Sequence, residues 1–290
     1  MNQVSDRLAA LAPSQTLAMS QKSSELKAQG VDVINLSVGE PDFNTPQHIK
    51  DAAKKAIDDN FSHYSPVPGY MDLRQAICAK LKNENGLDFT PEQIVVSNGA
   101  KQSICNTILA LVNPGDEVIL PAPYWVSYVE MVKLAEGKNV IVETGIEQDF
   151  KMTPAQLEAA ITPKTKLIFL CNPNNPTSIA CDPQELLDFL DAVPAHVVTI
   201  VDEAYIQFVD DPAYPSMVGQ IADNKNLLVV QTLSKLYGMA GARVGYILSN
   251  AKIIKYLNRI ANYFCTNKLA LAGAVAALDD TEFAAMTLRK

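Results

Sequence analysis

Short apolar runs alternate with helix-length amphipathic segments along most of the chain. The β-rich runs are Ile94–Val96, Val118–Leu120, Val140–Val142, Leu167–Leu170, Val197–Val201 and Leu227–Val230. Between them, apolar positions at helical spacing predict helices over Lys101–Leu111, Ser127–Ala135, Pro154–Ile161 and Pro183–Val193. Turn residues mark the joins, as in Asn113-Pro114-Gly115-Asp116 and Asn172-Pro173-Asn174-Asn175-Pro176. Strands alternating with helices predict βαβ units and a mainly parallel sheet with helices on both faces. Two flanks lie outside this rhythm. Residues 1 to about 46 read as a helix, Ser14–Gln29, a short strand, Val33–Leu36, and a loop rich in Gly and Pro. After Gly245 the pattern is helical, over Ile253–Ala261, Leu269–Leu278 and Thr281–Lys290. The last pattern reaches the final residue without a Gly or Pro stop, so the expectation is a chain cut within a helix.

Composition narrows the class. The chain has 290 residues, which at ~150 per domain suggests two domains, or one large one with an appendage. Hydrophobic residues make up 48% and charged residues 19%, which excludes disorder as the main state. Lys plus Arg is 24 against 32 for Asp plus Glu, a net charge of −8, and no long basic run occurs. Nucleic acid and anionic membrane surfaces are therefore poor partners. Cys78, Cys105, Cys171, Cys181 and Cys265 are odd in number and widely spaced, so no disulfide framework is expected. His48, His63 and His196 share no ligand spacing with them, so no metal site is expected. The first residues lack a signal sequence, no segment is long and apolar enough to span a membrane, and the cytoplasm is the expected compartment.

In α/β sheets, ligands collect beyond the carboxyl ends of the strands, so the residues that follow each run are informative. Ser97-Asn98-Gly99-Ala100-Lys101-Gln102 opens a helix after the first run, where small residues and the helix dipole favour an anion. A tight turn into a helix explains the same residues, and the phosphate fingerprints of nucleotide-binding folds are missing. Pro123-Tyr124-Trp125 follows the second run; the single tryptophan fills core or stacks on a planar ring. Asn172–Thr177 offers turn formers or fixed hydrogen-bond donors. Asp202 ends an apolar run, and a carboxylate in a dry place needs a cation. Thr232-Leu233-Ser234-Lys235, then Gly238, Gly241 and Arg243, follows the last run and sets a lysine among hydroxyls beside a flexible turn. Together these groups match what pyridoxal 5'-phosphate requires: an amine for its carbonyl, a carboxylate for its pyridine nitrogen, an aromatic face and an anion site.

The motifs Asn35–Phe43, Tyr64-Ser65-Pro66 with Gly69, Leu73-Arg74, Asn98–Gln102 and Pro123–Tyr128 are similar to those of bacterial aspartate aminotransferases. Cys171–Thr177, Val201–Tyr205 and Thr232–Tyr246 look more like histidinol-phosphate aminotransferases. The whole chain thus resembles a class I/II pyridoxal-phosphate aminotransferase of fold type I. The resemblance implies an α/β fold with a mainly parallel mixed sheet flanked by helices. Its expected layout is an N-terminal arm and small-domain segment (1–46), a large cofactor-binding domain (47–280) and the start of an apparently truncated C-terminal domain (281–290).

The resemblance also implies roles. Lys235 is the lysine that binds the cofactor covalently and shuttles the proton at the substrate α-carbon. Asp202 pairs with the pyridine nitrogen, and Tyr205 and Asn175 donate to the cofactor's phenolic oxygen. Ala100, Lys101, Thr232, Ser234 and Arg243 surround its phosphate, and Trp125 stacks on its ring. Tyr64 reaches the phosphate of a neighbouring subunit, which implies a homodimer with shared sites. Gly39, with Trp125 and Asn175, lies on the substrate side. Partners are an amino acid, aspartate type favoured, and a 2-oxo acid. Histidinol phosphate, a β-lyase or decarboxylase reaction, and a cofactor-binding fragment are the alternatives. The family turn Asn-Pro-Thr-Gly reads Asn175-Pro176-Thr177-Ser178 here. No residue after Gly245 matches the family arginine that clamps the substrate α-carboxylate, so full turnover is expected to suffer. Arg259 and Arg289 read as surface helix charges.

Overall fold

The computed structural model describes residues 4–36, 39–224, 226–261 and 265–289. The elements along the chain are α1 (Asp6–Ala9), α2 (Gln15–Ala28), α3 (Gln47–Asp58), α4 (Met71–Asn85), β1 (Ile94–Ser97), α5 (Ala100–Leu111), β2 (Glu117–Pro121), α6 (Ser127–Leu134) and β3 (Lys138–Val142). They continue with α7 (Pro154–Ala160), β4 (Thr165–Cys171), α8 (Pro183–Ala192), β5 (Val198–Asp202), β6 (Leu227–Thr232), β7 (Gly245–Leu248), α9 (Ala251–Ile260), α10 (Lys268–Leu278) and α11 (Thr281–Leu288).

The strands form one seven-stranded sheet in the order β1-β7-β6-β5-β4-β2-β3. From β3 to β6 every neighbouring pair is parallel, while β7 runs antiparallel to both β6 and β1. The expected mainly parallel sheet is present, and β7 is the strand that the hydrophobic pattern did not announce. Its four residues are short, and the helical pattern that follows hides them. They pair with β6 in the register Val230↔Ile247 and close the gap to β1.

Pleating explains why nearly every residue of the central strands is apolar. In β6, Leu227 and Val229 face a core with Leu73, Ile77 and Leu81 of α4, Leu186 of α8 and Leu271 of α10. Leu228 and Val230 face the opposite core, with Ile104 and Ile108 of α5, Met131 and Val132 of α6 and Leu257 of α9. A strand covered on both faces has no polar face, so its run is continuous. Local chemistry sets the helix starts: Ser14, Thr153, Asp182, Asn250 and Asn267 each accept a backbone N–H from the first turn of α2, α7, α8, α9 and α10.

Two expectations change. Val33–Leu36 is not a strand; residues 31–36 carry no regular structure, and Ile34 and Leu36 are 86% and 91% exposed. An alternating pattern makes a strand only where a neighbour takes its hydrogen bonds, and no strand of the sheet takes these. The other change is a gain, because α3 and α4 occupy a region where the run-by-run reading placed no element. Helix α11 covers Thr281–Leu288; Lys290 lies outside the described residues. No helix among the described residues is long and apolar enough to cross a membrane, and no group of side chains among them could hold a metal ion.

Candidate active site

The carboxyl ends of β4, β5 and β6 bring the sequence candidates together. Asp202 is the last residue of β5 and lies directly beside Cys171, the last residue of β4. Its carboxylate is buried. Oδ2 accepts the Tyr128 hydroxyl at 2.7 Å, and Oδ1 accepts the Ala204 N–H at 3.1 Å. Burial pushes its pKa above the usual carboxylate range, against the pull of those two bonds and of the nearby Lys235 charge.

Lys235 follows β6. Its ammonium donates to the Gly39 carbonyl at 2.6 Å and lies 5.3 Å over the ring of Tyr205. Tyr205 follows Asp202 in the short segment before Ile206–Phe208. A Cβ at Gly39 would stand 3.7 Å from the Tyr205 hydroxyl and 3.8 Å from Lys235 Nζ. The segment around Gly39 therefore reaches across the fold to the lysine, although nearly two hundred residues separate them; Ser37 and Val38 lie outside the described residues.

A second group gathers at the start of α5. Gly99 is its N-cap with φ 83°, a conformation open to glycine. A Cβ there would collide with the Arg243 guanidinium, and a Cβ at Gly245 would collide with the backbone of Gly99 and Ala100. Two glycines thus allow the first turn of α5, Arg243 and β7 to approach closely. Thr232 Oγ1 donates to Ser234 Oγ at 2.9 Å and accepts the Ser234 N–H at 3.1 Å. Arg243 Nη1 reaches Ser234 Oγ at 3.5 Å and the Ala240 carbonyl at 2.9 Å. The free amides of a helix start, two hydroxyls and a guanidinium make an anion cup.

Other candidates take separate places. Lys101 Nζ stands 5.0 Å over the Trp125 ring, so its side chain serves the indole while its amide belongs to the helix start. Asn175 N–H donates to Cys171 Sγ at 3.3 Å, which ties the Asn175 turn to the end of β4. Ser178, which stands where the family turn has Gly, has φ 64°, the left-handed region in which glycine is at ease. Tyr64 is 79% exposed and lines a groove of about 410 Å³ with Phe61, His63, Thr266 and Lys268. Arg259 is exposed and stacks 5.0 Å over Tyr256, and Arg289 donates to the Ala285 carbonyl within its own helix. Both are surface charges, as expected.

Sequence reasoning passed over two groups in contact with Asp202. Tyr128 and Cys171 were each legible only as part of a motif. Neither has a local signal, because an apolar pattern treats a buried tyrosine or cysteine as core. Glu203, beside Asp202 in sequence, points away into a separate buried network. It accepts from Ser216 Oγ, Met217 N–H and Gln231 Nε2 at 2.6, 2.6 and 2.8 Å.

Comparison with known proteins matches this arrangement to one family. The profile for aminotransferase class I and II matches residues 31–290. The chain belongs to the class I and II aminotransferases. It is 44% identical over 273 residues to the aspartate/prephenate aminotransferase of Cereibacter sphaeroides, covering 93% of this chain and 68% of that protein. It is 40% identical over 276 residues to the aspartate aminotransferase of Bacillus subtilis, covering 93% of this chain and 70% of that protein. The solved structure of Thermus thermophilus aspartate aminotransferase with maleate superposes with a TM-score of 0.92 at 35% identity, covering 100% of this chain and 76% of that one. The chain therefore spans about 70% of the length of such relatives. Aminotransferases of these classes are pyridoxal-phosphate-dependent transaminases, so the expected enzyme class, fold and cofactor stand.

Proposed function

We propose that this aminotransferase is of the aspartate type, exchanging an amino group between a dicarboxylic amino acid and a 2-oxo acid. The observation that carries the reading is the convergence of Lys235, Tyr205 and the Gly39 carbonyl beside the buried carboxylate of Asp202. The relatives named above are aspartate and aspartate/prephenate enzymes rather than histidinol-phosphate ones, and maleate, in the Thermus structure, is a dicarboxylate.

The donors present fit pyridoxal 5'-phosphate. The anion cup at Ala100, Lys101, Thr232, Ser234 and Arg243 suits the phosphate, since amides, hydroxyls and a guanidinium all donate. Asp202 suits a protonated ring nitrogen, because a buried carboxylate is stabilised by a cation. Bound there, the cofactor supplies a reactive carbonyl and an electron sink. The chain's residues do the rest. Lys235 Nζ would condense with the cofactor's carbonyl with loss of water, and once the substrate amine takes its place the freed amine would take and return the proton at the substrate α-carbon. Asp202 keeps the ring nitrogen protonated. Tyr205 and Asn175 donate to the phenolic oxygen and favour its charged form. Trp125 faces the ring, steadied by Lys101, and Gly39, with Trp125 and Asn175, bounds the substrate. On this reading residues 47–280 are the cofactor-carrying body, 1–46 an arm with part of a smaller domain, and 281–290 the start of a further one. Exposed Tyr64 serves the phosphate of a second copy in a homodimer, and a cytoplasmic compartment is supported by the five unpaired cysteines.

Titrating the cofactor-loaded chain with amino acids tests the reading by the cofactor's visible band. Aspartate is expected to convert the band at lower concentration than glutamate, with release of a 2-oxo acid. Conversion by histidinol phosphate ahead of aspartate, or release of pyruvate or CO₂ in place of amino transfer, would overturn it.

A further inference from the structure

We propose that Tyr128 is a positioning residue for the cofactor: its hydroxyl holds the Asp202 carboxylate in its ionised form and orientation, so that the proton stays on the pyridine nitrogen. The inference rests on the assignment of Asp202 and Lys235 made above and extends it to a residue outside that set.

Tyr128 lies in the first turn of α6 and is 1% exposed. Its ring is fixed from two sides. It stacks on Phe169 of β4 at 5.0 Å between centroids with 23° between planes, and meets Trp125 edge-on at 5.4 Å. A ring so held can send its hydroxyl in few directions, and the hydroxyl reaches Asp202 Oδ2 at 2.7 Å. The Ala204 N–H takes the other oxygen. Both oxygens are thus oriented by fixed donors, one from α6 and one from the chain just beyond β5.

The polarity of the tyrosine bond is also fixed. The groups around it are Asp202 of β5, Cys171 of β4, and Lys235 beyond β6. Burial, and then the Asp202 charge, push the Tyr128 phenol well above its ordinary range, so it stays neutral and donates. Burial, with the Asp202 charge, pushes the Cys171 thiol up to about 12, so it adds no negative charge. A donor that cannot ionise favours the charged form of its acceptor. It makes Asp202 a weaker base than burial alone would. A weaker base leaves the shared proton on the ring nitrogen rather than drawing it onto the carboxylate. The protonated nitrogen withdraws electrons from the lysine–cofactor linkage and so sets the pH at which the visible band changes.

The test uses the cofactor-loaded chain and follows the visible band against pH, with cofactor affinity from titration of the apo chain. Tyr128→Phe keeps the stacked ring and removes only the donor. Its band midpoint is expected to move up by about half a unit or more, with cofactor binding weakened about tenfold. Replacing Tyr128 by 3-fluorotyrosine, a stronger donor of nearly equal volume, moves the midpoint down and remains informative if the Phe variant fails to fold. Phe169→Leu loosens the stack and lowers the melting temperature while keeping the hydroxyl, so its midpoint stays near that of the unaltered chain. A Tyr128→Phe midpoint equal to wild type, or a 3-fluorotyrosine midpoint that moves up, overturns the proposal. An unaltered chain that forms no visible band with pyridoxal 5'-phosphate overturns the assignment of Lys235 and Asp202 first, and this inference with it.

Discussion

Single residues carry unequal shares of the proposed chemistry, and Lys235 and Asp202 are assigned the largest. Lys235 Nζ already points to the Gly39 carbonyl and the Tyr205 ring. Borohydride reduction of the loaded chain is expected to leave one pyridoxyl adduct, on Lys235, read by peptide mass spectrometry. Lys101 is the rival by sequence, but its ammonium sits over Trp125, and an adduct there would displace the site assignment. On the proposed assignment, replacing Asp202 with Asn removes the charge that holds the ring proton. Proton abstraction from the substrate is expected to slow by at least ~100-fold in single-turnover measurements, while part of the cofactor affinity survives. Both residues stood out in the sequence, since a Lys and an Asp at the ends of buried runs are costly and need a reason. Tyr128 did not, because its distinguishing feature is a 2.7 Å bond across 74 residues of chain.

Elements set the distances that the residues exploit. The close approach of β7 to the start of α5 depends on Gly245, where a Cβ would strike the Ala100 backbone. Because backbone cannot rotate away, Gly245→Ala must shift the helix start, and overpacking of this kind costs about 1–3 kcal/mol. Urea denaturation should show that loss, together with weakened phosphate affinity. Gly39 makes the contrast: a Cβ there meets only ordinary contacts, so Gly39→Ala should leave stability unchanged. A further joint lies at the opposite end of the sheet. Glu117 at the start of β2 accepts from Thr162 Oγ1 at 2.6 Å and from Lys138 Nζ of β3 at 3.0 Å. Those bonds hold its carboxyl below the usual range. A carboxylate with a depressed folded pKa adds stability above its unfolded pKa and loses it as pH falls through the folded one. Glu117→Gln should therefore lower the urea midpoint at pH 7 and not at a pH below that range. The strands β2 and β3 were legible from their apolar runs; their pairing and the β7 insertion were not, because strand order is decided by long-range packing.

At the scale of the whole molecule, the placing of Tyr64 separates a self-contained site from a shared one. It is 79% exposed in a groove with Phe61 and Lys268, whose ammonium lies 4.9 Å over the Phe61 ring. If a second copy supplies Tyr64 to each site, mixing two defective chains should restore one good site per dimer. Tyr64→Ala chains retain Lys235, and Lys235→Ala chains retain Tyr64. Mixed dimers are expected to bind cofactor at the Tyr64→Ala chain with the affinity of the unaltered protein, measured by titrating the visible band. Sites that remain weak after mixing would show that Tyr64 does not act across a dimer.

The sequence by itself determined the class of fold, the cofactor and the identity of the residues at the strand ends. It could do so because buried strands need unbroken apolar runs, and because ionisable groups at their ends stand out against that background. The tertiary structure decided the rest. It denied Val33–Leu36 a strand, since no strand of the sheet pairs with it, and it inserted β7 between β1 and β6. It carried the Gly39 carbonyl to Lys235, turned the Lys101 ammonium onto Trp125 and set Tyr128 against Asp202. Each of these is a contact between segments far apart in the chain, and local pattern holds no record of which distant groups packing will bring together.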